Sequence, residues 1–94
     1  MLCVNVAVNG AKQVIAGDPL AESIEATVGV YPGLKECWLR IVGTILPDAQ
    51  PPADAQWAGL TLKVGDVVEI RIIDSASAAA PNVGPQRHDT YRFR

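Results

Sequence analysis

The sequence predicts a small, mainly β domain, an antiparallel meander or partly closed barrel of five to six strands. Three observations carry that expectation. Apolar residues recur at every second position through most of the chain, the period at which a strand buries one face. Turn-forming pairs, Asn9-Gly10, Pro32-Gly33 and Gly65-Asp66, fall between the alternating runs. Helix-start signals occur once, in a stretch that alternates as well.

The first segment sets the pattern. Leu2, Val4, Val6 and Val8 alternate with Cys3, Asn5 and Ala7, which makes residues 2–8 a strand with one buried face. Asn9-Gly10 suits a two-residue type I′ turn, because both of its positions take positive φ. Residues 12–16 return as the second strand, with Val8 facing Ala11, Val6 facing Gln13 and Val4 facing Ile15. Gln13 sits badly on that apolar face.

Residues 18–31 admit two readings. Asp18 as N-cap, Pro19 at the first helical position, Leu20, Ile24 and Val28 on one side and Gly29 as a stop describe a helix over 18–28. That helix would make the domain a β-grasp-like α+β fold. Against it, Ile24, Ala26, Val28 and Val30 alternate with Glu25, Thr27, Gly29 and Tyr31, and Val-Gly-Val is poor helix material. The alternation runs further, so a strand over 22–31 is favoured.

After the Pro32-Gly33 turn, residues 36–46 form a strand with Cys37, Leu39, Ile41 and Ile45 inside and Trp38, Arg40, Val42 and Thr44 outside. "PDAQPPADAQ", residues 47–56, is rich in proline and small polar residues and reads as a surface loop. "GLTLKVGDVVEIRIID", residues 59–74, then reads as a hairpin. A three-residue connection, 65–67, pairs Val64 with Val68, Leu62 with Ile70 and Leu60 with Ile72, which brings all six onto one face; a one-residue slip would mix the faces.

Residues 1–74 thus form a single β domain. Residues 75–94 read as a flexible linker and a basic tail. In the tail Tyr91 and Phe93 alternate with Arg92 and Arg94, which describes either an edge strand, on this chain or a neighbour, or a frayed terminus.

Composition narrows the function classes. The chain has 94 residues, 49% apolar and 19% charged, a globular balance in a length that holds one core. No apolar run approaches the roughly 18 residues of a membrane span. The start lacks a basic leader, so a cytoplasmic location is expected. Residues 1–81 hold five Lys/Arg against nine Asp/Glu, and residues 82–94 three against one. An acidic body with a basic tail suits self-association or an acidic partner and argues against nucleic acid.

Little in the sequence points to catalysis. Cys3 and Cys37 fit no C-x-x-C spacing; buried free thiols are favoured over a disulfide or a reactive thiol. A Cys–His pair would need His88, in the tail, to fold back onto the body. Two cysteines and one histidine do not make a zinc site. Glu22, Glu25 and Glu69 read as solvated-face carboxylates, and no phosphate-binding glycine loop is present. No cofactor and no enzymatic activity are expected.

What remains is surface. If strands 36–46 and 67–74 share a sheet, Trp38, Arg40, Val42, Val67, Arg71 and Ile73 share one outward face, more apolar than a solvated face needs. Trp38 then lies in a second small core, or under the proline-rich loop with Trp57, or is a contact for a partner, Trp and Arg being enriched at interface hot spots. Trp38, Arg40, Val42, Trp57, Arg71, Ile73, Tyr91 and Phe93 are therefore the candidate interaction residues.

Trp57 followed by "LTLKVGDVVEIRII" resembles short bacterial proteins of unassigned function that finish with a tryptophan and an L-x-V-G-D-x-V-x-I-x-I hairpin. The resemblance implies a bacterial, cytoplasmic, mainly β domain. The resulting expectation is a non-catalytic module that associates with itself or with another protein. The alternative is a ligand-binding or enzymatic domain with a pocket under the 47–56 loop.

Overall fold

A computed structural model of the chain describes residues 1–48 and 50–85. Seven strands and one 3-10 turn make up the fold: β1 (Leu2–Val8), β2 (Ala11–Ala16), β3 (Ala21–Tyr31), the turn at Pro32–Leu34, β4 (Glu36–Ile45), β5 (Ala53–Leu62), β6 (Val68–Asp74) and β7 (Asn82–Pro85). They form two antiparallel sheets, β2-β1-β6 and β3-β4-β5-β7. The mainly β class is as the alternation predicts. The helix over 18–28 does not form; β3 occupies that stretch and pairs along its length with β4.

The two sheets pack face to face. Val6, Val14 and Ala16 from the first meet Leu39, Ile41 and Leu62 from the second in one buried cluster. Burying Val6, Leu39 and Ile41, all fully enclosed, stabilises the fold by about 1.5–3 kcal/mol each. β2 lies against β5 and β1 against β3. The alternation expected for β4 holds, with Leu39, Ile41 and Ile45 buried.

The first hairpin departs from its expected register in an instructive way. Asn9 and Gly10 take φ of 53° and 80°, as a type I′ turn requires. Val8 faces Ala11 and Ala7 faces Lys12, but beyond that point Val6 faces Val14 and Val4 faces Ala16. Gln13 is the extra residue of a β-bulge. It leaves the apolar face, where an amide would be orphaned, and its Nε2 donates to the Ala11 carbonyl at 3.1 Å.

Residues 59–74 are not a hairpin. Leu62 ends β5 in the four-stranded sheet, whereas Ile70 lies in β6 of the three-stranded one. Residues 63–67 cross between the sheets, and β6 pairs with β1, Val6 facing Ile70 and Val4 facing Ile72. The physical reason is that β1 offers β6 the same apolar alternation that β5 would.

Two other boundaries shift. Only residues 46–52 connect β4 to β5. Ala53 to Gln56 pair with both β4 and β7, because small side chains tolerate a central strand position once the prolines have passed. The segment expected to act as a linker carries β7, and Ala79 bridges to Ala16. Among the described residues no helix is long and apolar enough to cross a membrane.

Candidate interaction surface

The candidate residues do not form one face. Because Leu39 and Ile41 point inward, alternation sends Trp38, Arg40 and Val42 to the outer face of the four-stranded sheet. Arg71 and Ile73 follow the Cys3–Asn5 side of β1 and lie on the outer face of the other sheet. The expected grouping required β4 and β6 to share a sheet, and they do not. Tyr91 and Phe93 lie outside the described residues.

Trp38 is held by its own sheet. Its cross-strand neighbour is Gly29, and a Cβ there would overlap the indole, coming within 2.5 Å of Cε2 and 2.7 Å of Cη2. The ring therefore lies down on a strand that offers no side chain at that point. The Arg40 guanidinium carbon sits 4.5 Å from the ring centroid, an attraction of about 0.5–1 kcal/mol at an exposed site. Tyr31 approaches at 5.8 Å between centroids.

Trp57 works inward. It is the extra residue where β5 slips register between Ala58 and Gln56 against β4. This bulge turns the indole so that Nε1–H reaches the Gly17 carbonyl at 3.2 Å and the Ala79 carbonyl at 3.1 Å. Trp57 thereby ties the β2–β3 and β6–β7 connections to β5. It packs against the core and is not grouped with Trp38.

A polar knot explains the "VGD" of the sequence. Asp66 accepts from Asn9 Nδ2 and from the Lys63 backbone N–H, both at 2.9 Å. Asn9 Oδ1 in turn accepts from the Val67 N–H at 2.9 Å, and the Asn9 N–H donates to the Val67 carbonyl at 2.8 Å. The Asn9 amide, followed by the Lys63 N–H, holds the Asp66 carboxyl below its ordinary pKa. The knot locks the first hairpin turn to the crossover between the sheets. Sequence reasoning missed it because its members are 57 positions apart.

Cys3 is buried and Cys37 half-buried, and both are free thiols. The Cys37 thiol donates to the Leu62 carbonyl at 3.1 Å. Among the described residues no group of His, Cys, Asp and Glu is arranged to hold a metal ion.

Two hollows open on the four-stranded sheet. One of about 750 Å³ lies on its outer face, bordered by Glu25, Arg40, Thr44, Gln56 and Asn82. A smaller one, about 470 Å³, sits beside the 46–52 connection and is walled by Pro47, Pro51, Pro52 and Pro85. Among the described residues the smaller one has no ionisable side chain in its wall.

Apolar side chains at core-type positions are exposed on one flank. β1 lies against β3, the edge strand of its sheet, so β6, on the outer side of β1, extends past that edge among the described residues. Ile70 and Ile72 share the inward side of Val4 and Val6 yet are 46% and 75% exposed, and Leu2 beside Val4 is 72% exposed. On β3, Val28 and Val30, inward-facing by register with Leu39 and Cys37, are 45% and 64% exposed. Core-type positions of both sheets are left uncovered along one side.

No family model matches the chain, and no curated protein or solved structure matches it either.

Proposed function

We propose that this chain is a non-catalytic protein-binding module. The observation that carries the reading is the open flank: Leu2, Val28, Val30, Ile70 and Ile72 sit at inward-facing positions of two sheets and remain exposed. Apolar side chains exposed at core-type positions mark interaction sites in soluble proteins when they gather into a patch. The Trp38–Arg40 face is a weaker candidate, because the indole is already engaged by Gly29 and Arg40.

A second reading, binding of a small polar ligand, is favoured by the hollow beside Arg40. Its size falls within the range of ligand sites, and Glu25, Gln56 and Asn82 converge on it. The two readings separate with two variants of the full chain. Val30→Asp charges the flank and Arg40→Ala strips the hollow. Sedimentation velocity should show association that Val30→Asp weakens and Arg40→Ala leaves unchanged. The opposite pattern would favour the ligand hollow. A chain that remains monomeric and unpartnered at high micromolar concentration would remove the binding-module reading.

A further inference from the structure

We infer that the flank's partner is a second copy of this chain, joined through the free edge of β6 in one particular register. The inference rests on the binding-module reading and names its occupant. Among the described residues the two sheets have four edge strands, and three of them are blunted or partly covered. β2 is short, bulged at Gln13, carries Lys12 and is bridged at Ala16 by Ala79; β7 spans four residues and ends in Pro85; β3 is bulged near Glu22 and carries Glu22 and Glu25, which form no ion pair among the described residues. Bulges, prolines, shortness and unpaired charge are the usual devices that stop edge-to-edge pairing. β6 has none of them. It runs seven residues in uninterrupted register with β1.

The hydrogen-bonding parity of β6 follows from its neighbours. Asn9 N–H donates to the Val67 carbonyl and Ser75 N–H to the Met1 carbonyl, at 2.8 and 2.9 Å. Odd-numbered residues of β6 therefore direct their backbone groups toward β1, and Val68, Ile70 and Ile72 direct theirs outward. Among the described residues no strand occupies that edge.

Charge then selects the register. A two-fold antiparallel pairing centred on Ile70 places Glu69 opposite the partner's Arg71, and Arg71 opposite the partner's Glu69. Val68 meets the partner's Ile72 on the other side of the sheet. Glu69 and Arg71 fall at a non-hydrogen-bonded pair, where facing side chains come closest. Centring on Arg71 would oppose two arginines, and centring on Ile72 would set Ile70 against the partner's Asp74. Of these registers only the one centred on Ile70 sets Glu69 against Arg71 on both sides of the axis; Asp74 and the partner's Asp66, at the ends of that pairing, are already bonded to the Met1 ammonium and to Asn9 at 2.9 Å. Among the described residues of the single chain, Glu69 and Arg71 pair with each other at 3.5 Å and are largely exposed. The assembly is a continuous six-stranded sheet, β2-β1-β6 joined to its two-fold copy, with Ile70 and Ile72 of both chains brought to one seam.

The test is a charge exchange read by sedimentation of the full chain, with circular dichroism to verify folding. Glu69→Arg alone and Arg71→Glu alone each oppose like charges twice per dimer, and each should weaken self-association about tenfold or more. The double exchange should restore it. Mixing the two single variants should give a heterodimer, because each then supplies the charge the other lacks. Ile70→Pro deletes an outward N–H without breaking a β1–β6 bond, so it should give a folded monomer. Association that survives Ile70→Pro and both charge variants would overturn the inference while leaving the binding-module reading in place. A wild-type chain that never associates would overturn the inference, and concentration-dependent growth beyond a dimer would show a non-closing contact and overturn it too.

Discussion

Replacing Gly43 with alanine tests the packing of β4 against β3 at its tightest point. Gly43 occupies an inward position between Ile41 and Ile45, where alternation calls for a side chain. A Cβ built there would overlap the Ser23 carbonyl oxygen, with the carbonyl carbon at 2.9 Å and Ile24 Cα at 3.2 Å. These are backbone atoms, so no rotamer change relieves the overlap. β3 must move, at the point where its register against β4 already slips between Ala21 and Ser23. Overpacking costs about 1–3 kcal/mol. Displacing Ser23 also strains the bond from the Thr44 N–H to Ser23 Oγ, 3.2 Å long, worth about 0.5–1.5 kcal/mol. The lower chain entropy of alanine returns about 0.4–1 kcal/mol. A net loss of about 1–3 kcal/mol remains, which in a chain of this length lowers Tm by about 4–8 °C per kcal/mol. Urea unfolding followed by tryptophan fluorescence reads it directly. Gly33→Ala is the control, because nothing lies within 4 Å of a Cβ there. If Gly43→Ala is as stable as the Gly33 control, the close approach of β3 to β4 is wrong.

Trp57→Phe keeps most of the ring but deletes the donor shared by Gly17 and Ala79. It should cost about 1–2 kcal/mol in urea unfolding, and an unchanged midpoint would show that the two carbonyls find other donors. Asp66 has a lowered pKa in the folded state, so its ionised form adds stability that is present above the ordinary carboxylate range and lost as pH falls through it. The stability gap between wild type and Asp66→Asn should therefore shrink on acidification; a gap that holds constant would show that the carboxylate charge is immaterial. Native thiol labelling should modify the half-buried Cys37 well before the enclosed Cys3, with the two rates converging in urea. Equal native rates would contradict the burial of Cys3.

Alternation made β1, β3 and β4 legible, together with the side each residue takes, because side-chain direction is a local property of an extended backbone. Partner choice is not local. Leu62 and Ile70 satisfy a hairpin with each other as well as β6 satisfies a pairing with β1, and nothing within residues 59–74 decides between them. Bulges were hidden for a related reason. Gln13 announced itself only as a misfit on an apolar face, and Trp57 as one residue in a run of small ones. The outward placement of Trp38, Arg40 and Val42 could be read from β4 alone. Their separation from Arg71 and Ile73 could not, since it depends on which sheet receives β6. The open flank was invisible for the same reason: exposure of Ile72 follows from where its strand lies over the other sheet.

The Asn9–Asp66 tie also bears on how the chain reaches this state. Strands β3, β4 and β5 are consecutive neighbours, whereas β1, which ends at Val8, waits for β6, which begins at Val68. The amino-terminal hairpin must therefore leave the ribosome with one side of β1 unmatched, and its completion closes a loop of more than fifty residues. Such non-local closure places folding in the millisecond-to-second range typical of β domains. It also predicts φ-values near zero at Val68, and high values there would mean that this closure comes early.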